Sequence, residues 1–65
     1  MLNTEYLKKR RGQERLRLAD LAEKLGYRSV NGFWRLEQGL TRPRLEHLVK
    51  LSQVFQEPWE NFVQE

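Results

Sequence analysis

His47 is the one side chain in this 65-residue sequence whose ordinary pKa would let it act as a general base near neutral pH. It stands beside Glu46 in a stretch that reads as helical scaffold, and no cysteine nucleophile accompanies it. A surface or boundary histidine is therefore expected rather than a catalytic one. The acids Glu57, Glu60 and Glu65 spread over a helix end and a tail instead of pairing across a cleft, so they read as solvated charge. One histidine and no cysteine exclude a Cys/His zinc site and a disulfide framework, and the sequence has no glycine-rich phosphate loop. No catalytic residue, metal or cofactor is expected, and the chain does not read as an enzyme. The chemistry that remains is cationic. Of twelve Lys and Arg residues, eleven lie in residues 1–44 against five acids, a local balance of +6, whereas residues 45–65 hold one against four, a balance of −3. Positive charge concentrated in the first two thirds is what a polyanion-binding face requires.

The elements that must position these charges are helical. A chain of this length holds one domain, residues 1–65, and buries only ~60% of its unfolded surface, so helix packing or dimerisation has to supply the stability. No apolar run exceeds two residues, against the ~20 of a membrane-spanning helix, and the N-terminus shows no signal-peptide core. No membrane contact and a cytoplasmic location are expected. Five short helices follow from the patterning, and no stretch alternates as a strand would. The first runs from about Thr4, an N-cap, to Arg11, with Gly12 weakening its far end. In the second, Leu18, Leu21, Ala22 and Leu25 fall at i, i+3, i+4, i+7, and Gly26 sits where a left-handed residue closes a helix. Ser29 caps a third helix of about nine residues, with Val30, Phe33 and Leu36 inward and Asn31, Trp34, Arg35 and Gln38 outward, ended by Gly39. A fourth carries Leu45, Leu48, Val49, Ser52 and Phe55 on one face, widened by Leu51 and Val54. Pro58 opens a last helix whose apolar side is Trp59, Phe62 and Val63.

Only Gly26, Tyr27, Arg28 and Ser29 join the second and third helices, and so short a joint forces a sharp crossing. This is the spacing of a helix-turn-helix, in which one helix projects far enough to enter a major groove ~12 Å wide while its neighbour braces it. The outward side of the third helix is then the reading surface.

The segment Leu18-Ala19-Asp20-Leu21-Ala22-Glu23-Lys24-Leu25-Gly26 is followed by Phe33-Trp34-Arg35-Leu36-Glu37-Gln38-Gly39 and Arg42-Pro43-Arg44-Leu45-Glu46-His47-Leu48. Together they resemble the phage-repressor and Cro-like helix-turn-helix family, the XRE family, over about residues 7–63. The shared features are an LAxxLG second helix, an apolar-x-x-apolar-Glu-x-Gly end to the third, a proline after the turn and a leucine-rich fourth helix. The chain has one residue more than the commonest spacing between Gly26 and Glu37, at Tyr27-Arg28. The resemblance implies an all-α, compact five-helix lambda-repressor-like domain that binds double-stranded DNA as a small transcriptional regulator.

Carried over position by position, the resemblance implies base contacts from Val30, Asn31, Trp34 and Arg35. Asn31 suits adenine N6 and N7, Arg35 suits guanine O6 and N7, and Val30 suits a thymine methyl or the core. Phosphate contacts are implied at Arg17 and Leu18 through their N–H groups, at Arg28 in the turn, and at Gln38, Thr41, Arg42 and Arg44 after the reading helix. Arg17-Leu18 replaces the family's usual Thr-Gln, Arg10 occupies a usual core position, and Arg15 stands where a glycine often closes the first helix, so that helix is expected to end differently. Arg11 and Glu37 match a partly buried ion pair between the first and third helices. Gly32 implies close approach of the backbone to DNA or to the second helix. A homodimer is expected, joined through Trp59, Phe62 and Val63, although Trp59 and Phe62 could equally close the monomer core. The other expectation is a protein-interaction module of the same fold, in which Trp34 or the C-terminal aromatics grip a protein partner.

Overall fold

The computed structural model describes residues 1–64 and contains four α-helices and a closing 3-10 turn: α1 Thr4–Gln13, α2 Leu18–Lys24, α3 Val30–Glu37, α4 Leu45–Phe55 and the 3-10 helix Trp59–Phe62. The all-α class stands, with the fifth element a 3-10 turn rather than an α-helix. Pro58 is its N-cap, one position before the one expected.

Asn3, not Thr4, caps α1: its side-chain oxygen accepts from the Tyr6 N–H at 3.1 Å, and asparagine is the stronger N-cap of the two. The first three helices then close identically. Leu16, Tyr27 and Leu40 donate their N–H groups to the carbonyls of Arg11, Ala22 and Arg35 at 3.1, 3.0 and 2.9 Å, and the preceding residue turns left-handed each time. Gly26 and Gly39 adopt φ of 85° and 80° without strain, but the first turn places Arg15 at φ 55°. The expectation that α1 ends differently without a glycine is therefore corrected. The closing hydrogen bonds form anyway, at a backbone cost that a Cβ carries.

The core gathers Leu7 from α1, Leu21, Ala22 and Leu25 from the α2 segment, Phe33 and Leu36 from α3, Leu48, Leu51 and Phe55 from α4, and Leu2 and Phe62 from the two chain ends. On α4 this is narrower than the periodicity predicts. Leu45, 67% exposed, and Val49 face outward, because the rest of the fold covers only the 48, 51, 55 side. Val30 is also outward, a correction taken up below.

The chain ends pair across the core. Leu2 and Val63 form one antiparallel bridge, with Asn3 N–H to Phe62 O and Gln64 N–H to Met1 O both at 2.7 Å. Phe62 is fully buried, its ring 5.3 Å from Tyr6 and 5.5 Å from Phe55 between centroids. Of the three residues expected at a dimer interface, Phe62 therefore belongs to the monomer core and Val63 is half-buried against the other chain end. Trp59 alone is exposed.

Glu57 corrects another expectation, while Glu60 is exposed and Glu65 lies outside the described residues. Far from being solvated, Glu57 accepts from Tyr6 Oη at 2.5 Å, Arg10 Nε at 2.7 Å and Asn61 Nδ2 at 2.9 Å, tying α1 to the segment after α4. Burial pushes this carboxyl up, but the three hydrogen bonds outweigh it and hold the group below the usual carboxylate range. Arg10 fills its usually apolar position by laying its guanidinium over the Phe55 ring, 5.1 Å from the centroid, while its charge meets Glu57.

Candidate nucleic-acid interface

α2 packs against α3 across the joint Leu25–Ser29. Gly26 reverses the chain, and Ser29 Oγ accepts from the Gly32 N–H at 3.4 Å to start α3, as the sequence predicts. Tyr27 is the wedge of this joint. Its ring stacks on His47 of α4 at 4.7 Å and 24°, lies 5.9 Å from the Phe33 ring, and its hydroxyl is 3.3 Å from His47 Nδ1. A Cβ built on Gly32 would stand 2.9 Å from the Tyr27 ring, so within the chain Gly32 makes room for this tyrosine rather than for the second helix. His47 is a boundary residue held against Tyr27, and burial pushes its pKa down.

This packing buries Phe33, Leu36 and Glu37 and leaves Val30, Asn31, Trp34, Arg35 and Gln38 exposed. At 100° per residue these five share one contiguous face, with Val30 at its border one turn before Trp34. Val30 is 41% and Trp34 42% exposed, so Val30 joins the outward face rather than the inner one on which the periodicity placed it. In the same turn Phe33 takes the buried side.

Arg11 fixes the other end of the reading helix. Its Nε and Nη2 donate to the two oxygens of Glu37, both at 3.0 Å, and its Nη1 donates to the Leu16 carbonyl at 3.1 Å. The Glu37 side chain is 2% exposed and that of Arg11 24%, so the pair is enclosed on the carboxylate side. α3 thus presents no exposed acid.

The residues expected at phosphates divide. The Arg17 N–H donates to Asp20 Oδ2 at 2.9 Å, and its guanidinium meets the same carboxylate at 3.1 and 3.2 Å. The N–H expected to hold a phosphate is therefore already satisfied within the chain. The hydrogen bonds from the Arg17 side chain and N–H hold Asp20 below the usual carboxylate range. Leu18 is half-buried at the first position of α2. Arg28, Arg35 and Arg42 are exposed and, among the described residues, form no ion pair, while Arg44 lies 3.8 Å from Glu46. Gln38, Thr41 and Arg42 line one cleft between the loop after α3 and the N-terminal residues Met1, Leu2 and Thr4. Two participants escaped the sequence reading, Tyr27 and Asp20. An aromatic residue directly after a left-handed glycine, and an acid three residues after the N-cap of α2, are the signals that point to them.

Among the described residues no cluster of His, Cys, Asp or Glu could hold a metal ion, and no helix is long and apolar enough to cross a membrane. Neither the curated proteins nor the solved structures contain a match to the chain. A family model described as a helix-turn-helix domain matches residues 4–58, from the start of α1 to the proline before the 3-10 turn. With the crossing of α2 and α3 and the bare outer face of α3, that match defines the protein: it belongs to the helix-turn-helix domain family of DNA-binding folds.

Proposed function

We propose that this chain is a sequence-specific, double-stranded-DNA-binding transcriptional regulator of the Cro/XRE type, acting as a homodimer. The observation that carries the reading is the outer face of α3. It offers Asn31, Arg35 and Gln38 to solvent, shows no carboxylate, and is flanked by cations without intramolecular partners among the described residues. Asn31 and Arg35 supply hydrogen bonds to adenine and guanine edges. Val30 and Trp34 supply apolar contact, and Leu18, Arg28, Gln38, Thr41, Arg42 and Arg44 hold phosphates. Arg17 contributes its guanidinium only by releasing Asp20. Two protomers, with Trp59 as the exposed aromatic of their contact, would read half-sites about 34–36 Å apart.

The test is fluorescence anisotropy of a labelled random-sequence duplex at about 50 and 200 mM salt. If Arg28, Arg42 and Arg44 each neutralise one phosphate, affinity per protomer falls roughly 40-fold between these salts. Arg42→Ala lowers the salt slope by about 0.9, and Arg35→Ala, Arg42→Ala together weaken binding at both salts. Absence of binding at either salt refutes the reading and turns the exposed Trp34 toward a protein partner. Mass measurement finding only monomers, free and on a palindromic site, refutes the homodimer.

A further inference from the structure

We propose that the cleft between the N-terminal residues and the loop after α3 is a docking site for an extended peptide with an acidic side chain, added as a strand beside Leu2. Leu2 and Val63 are the non-hydrogen-bonded pair of their antiparallel bridge, because the flanking bonds run from Asn3 N–H to Phe62 O and from Gln64 N–H to Met1 O. In such a pair the N–H and C=O of Leu2 point away from Val63. Neither has a hydrogen-bond partner among the described residues, although Leu2 is only 4% exposed. A donor and an acceptor left unpaired on a nearly buried residue are costly, and a strand laid along that edge satisfies both. Leu2 also lines the cleft, about 850 Å³ in volume, whose other side is Leu40, Thr41, Arg42 and Pro43. The lining selects the occupant. Arg42 is its charged side chain, it forms no ion pair, and among the described residues no acid lines the cleft. Met1 and Leu40, 88% and 58% exposed, add open apolar surface. A peptide supplies what these groups lack: backbone amides for Leu2, a carboxylate for Arg42 and apolar side chains for Met1 and Leu40. Arg42 cannot hold this carboxylate and a DNA phosphate together, so the peptide lowers DNA affinity; that consequence alone rests on the DNA-binding reading above.

The test titrates the full chain with a short blocked peptide of alternating valine and glutamate and follows the backbone amide resonances by NMR. The Leu2 amide should shift saturably and exchange more slowly with solvent as it gains a hydrogen bond. Exchanging the glutamates for glutamine should weaken binding about tenfold, and N-methylating alternate backbone amides of the peptide about fivefold or more. Arg42→Gln should erase the difference between the glutamate and glutamine peptides, and Leu40→Ser should weaken both alike. Both residues are exposed, so the variants keep their thermal unfolding midpoints. Leu40→Ser keeps the DNA affinity of the free protein but loses its reduction by the peptide. The proposal is overturned by the absence of a saturable shift at millimolar peptide, by equal binding of the N-methylated peptide, or by equal binding of the glutamate and glutamine peptides to the parent protein. A Leu2 shift that grows with protein concentration alone also overturns it and assigns the edge to a second copy of the chain. Peptide binding in a protein that shows no salt-dependent DNA binding supports this site and removes the DNA-binding reading instead.

Discussion

Arg11→Met should destabilise the fold by about 3 kcal/mol, and adding Glu37→Gln to it should restore part of the loss. The reasoning starts from an asymmetry of burial. Removing Arg11 strands a carboxylate that is 2% exposed and has lost both of its guanidinium hydrogen bonds, a situation that costs about 3–5 kcal/mol when burial is deep. Removing the charge at the other end strands a guanidinium that is 24% exposed and still donates to the Leu16 carbonyl at 3.1 Å, so Glu37→Gln alone should cost only about 1–2 kcal/mol. A domain of this size has roughly 3–10 kcal/mol in total, which makes Arg11→Met a large fraction of it. At about 4–8 °C per kcal/mol, its Tm falls by roughly 12–24 °C. The double variant buries a neutral amide instead of an unpaired charge and should be more stable than Arg11→Met alone. Urea unfolding at pH 7, followed by circular dichroism with the m-value checked for constancy, measures all three. Equal costs for the two single variants, or a double variant less stable than Arg11→Met, would refute the argument.

The two helical glycines should respond oppositely to alanine. Gly12→Ala, with nothing within 4 Å of the new Cβ, should stabilise by up to about 1 kcal/mol, whereas Gly32→Ala drives a Cβ to 2.9 Å from a Tyr27 ring already held by His47 and Phe33 and should cost about 1–3 kcal/mol. Thermal melts of the two variants check the contrast. Arg15→Gly, relieving a left-handed backbone at φ 55°, should raise stability by about 1 kcal/mol or less, read as a higher urea midpoint at unchanged m. Acid should weaken the fold in two windows. His47 has a lowered folded pKa, so its contribution is complete above the unfolded value of about 6.5 and is lost as pH falls below it. Glu57 and Asp20 are likewise lowered, so theirs is complete above about pH 4 and is lost as pH falls through the folded values. Urea midpoints across pH 3–8 measure this, with His47→Phe expected to abolish the upper window and Glu57→Gln to shrink the lower one.

The second helix and both glycine-closed turns were legible because their signals are local. Leu18, Leu21, Ala22 and Leu25 describe a stripe within eight residues, Ser29 caps the helix it precedes, and Gly26 and Gly39 stand where left-handed φ is needed. The outward set Asn31, Trp34, Arg35 and Gln38 was legible for the same reason, since it is the complement of Phe33 and Leu36. Val30 was not. Its angle puts it at the border of two faces, and only the packing of the other elements decides that it stays 41% exposed. Leu45 and Val49 miss the core likewise: their stripe is apolar, but the fold covers the adjoining side of α4.

The roles of charges divide in the same way. Composition locates the positive excess in the first two thirds of the chain, and a helix pair joined by four residues already implies a projecting reading helix. Which arginines are free to meet a ligand is not written in that pattern. Arg10 is taken by Glu57, 47 positions away, Arg11 by Glu37, 26 positions away, and Arg17 by Asp20, while Arg28, Arg35 and Arg42 stay open. Helix periodicity, caps and turn residues act over a few neighbours and are determined by sequence alone. Burial and charge pairing depend on what distant segments bring to the same point, so only the tertiary structure decides which side chains close the fold and which remain for DNA.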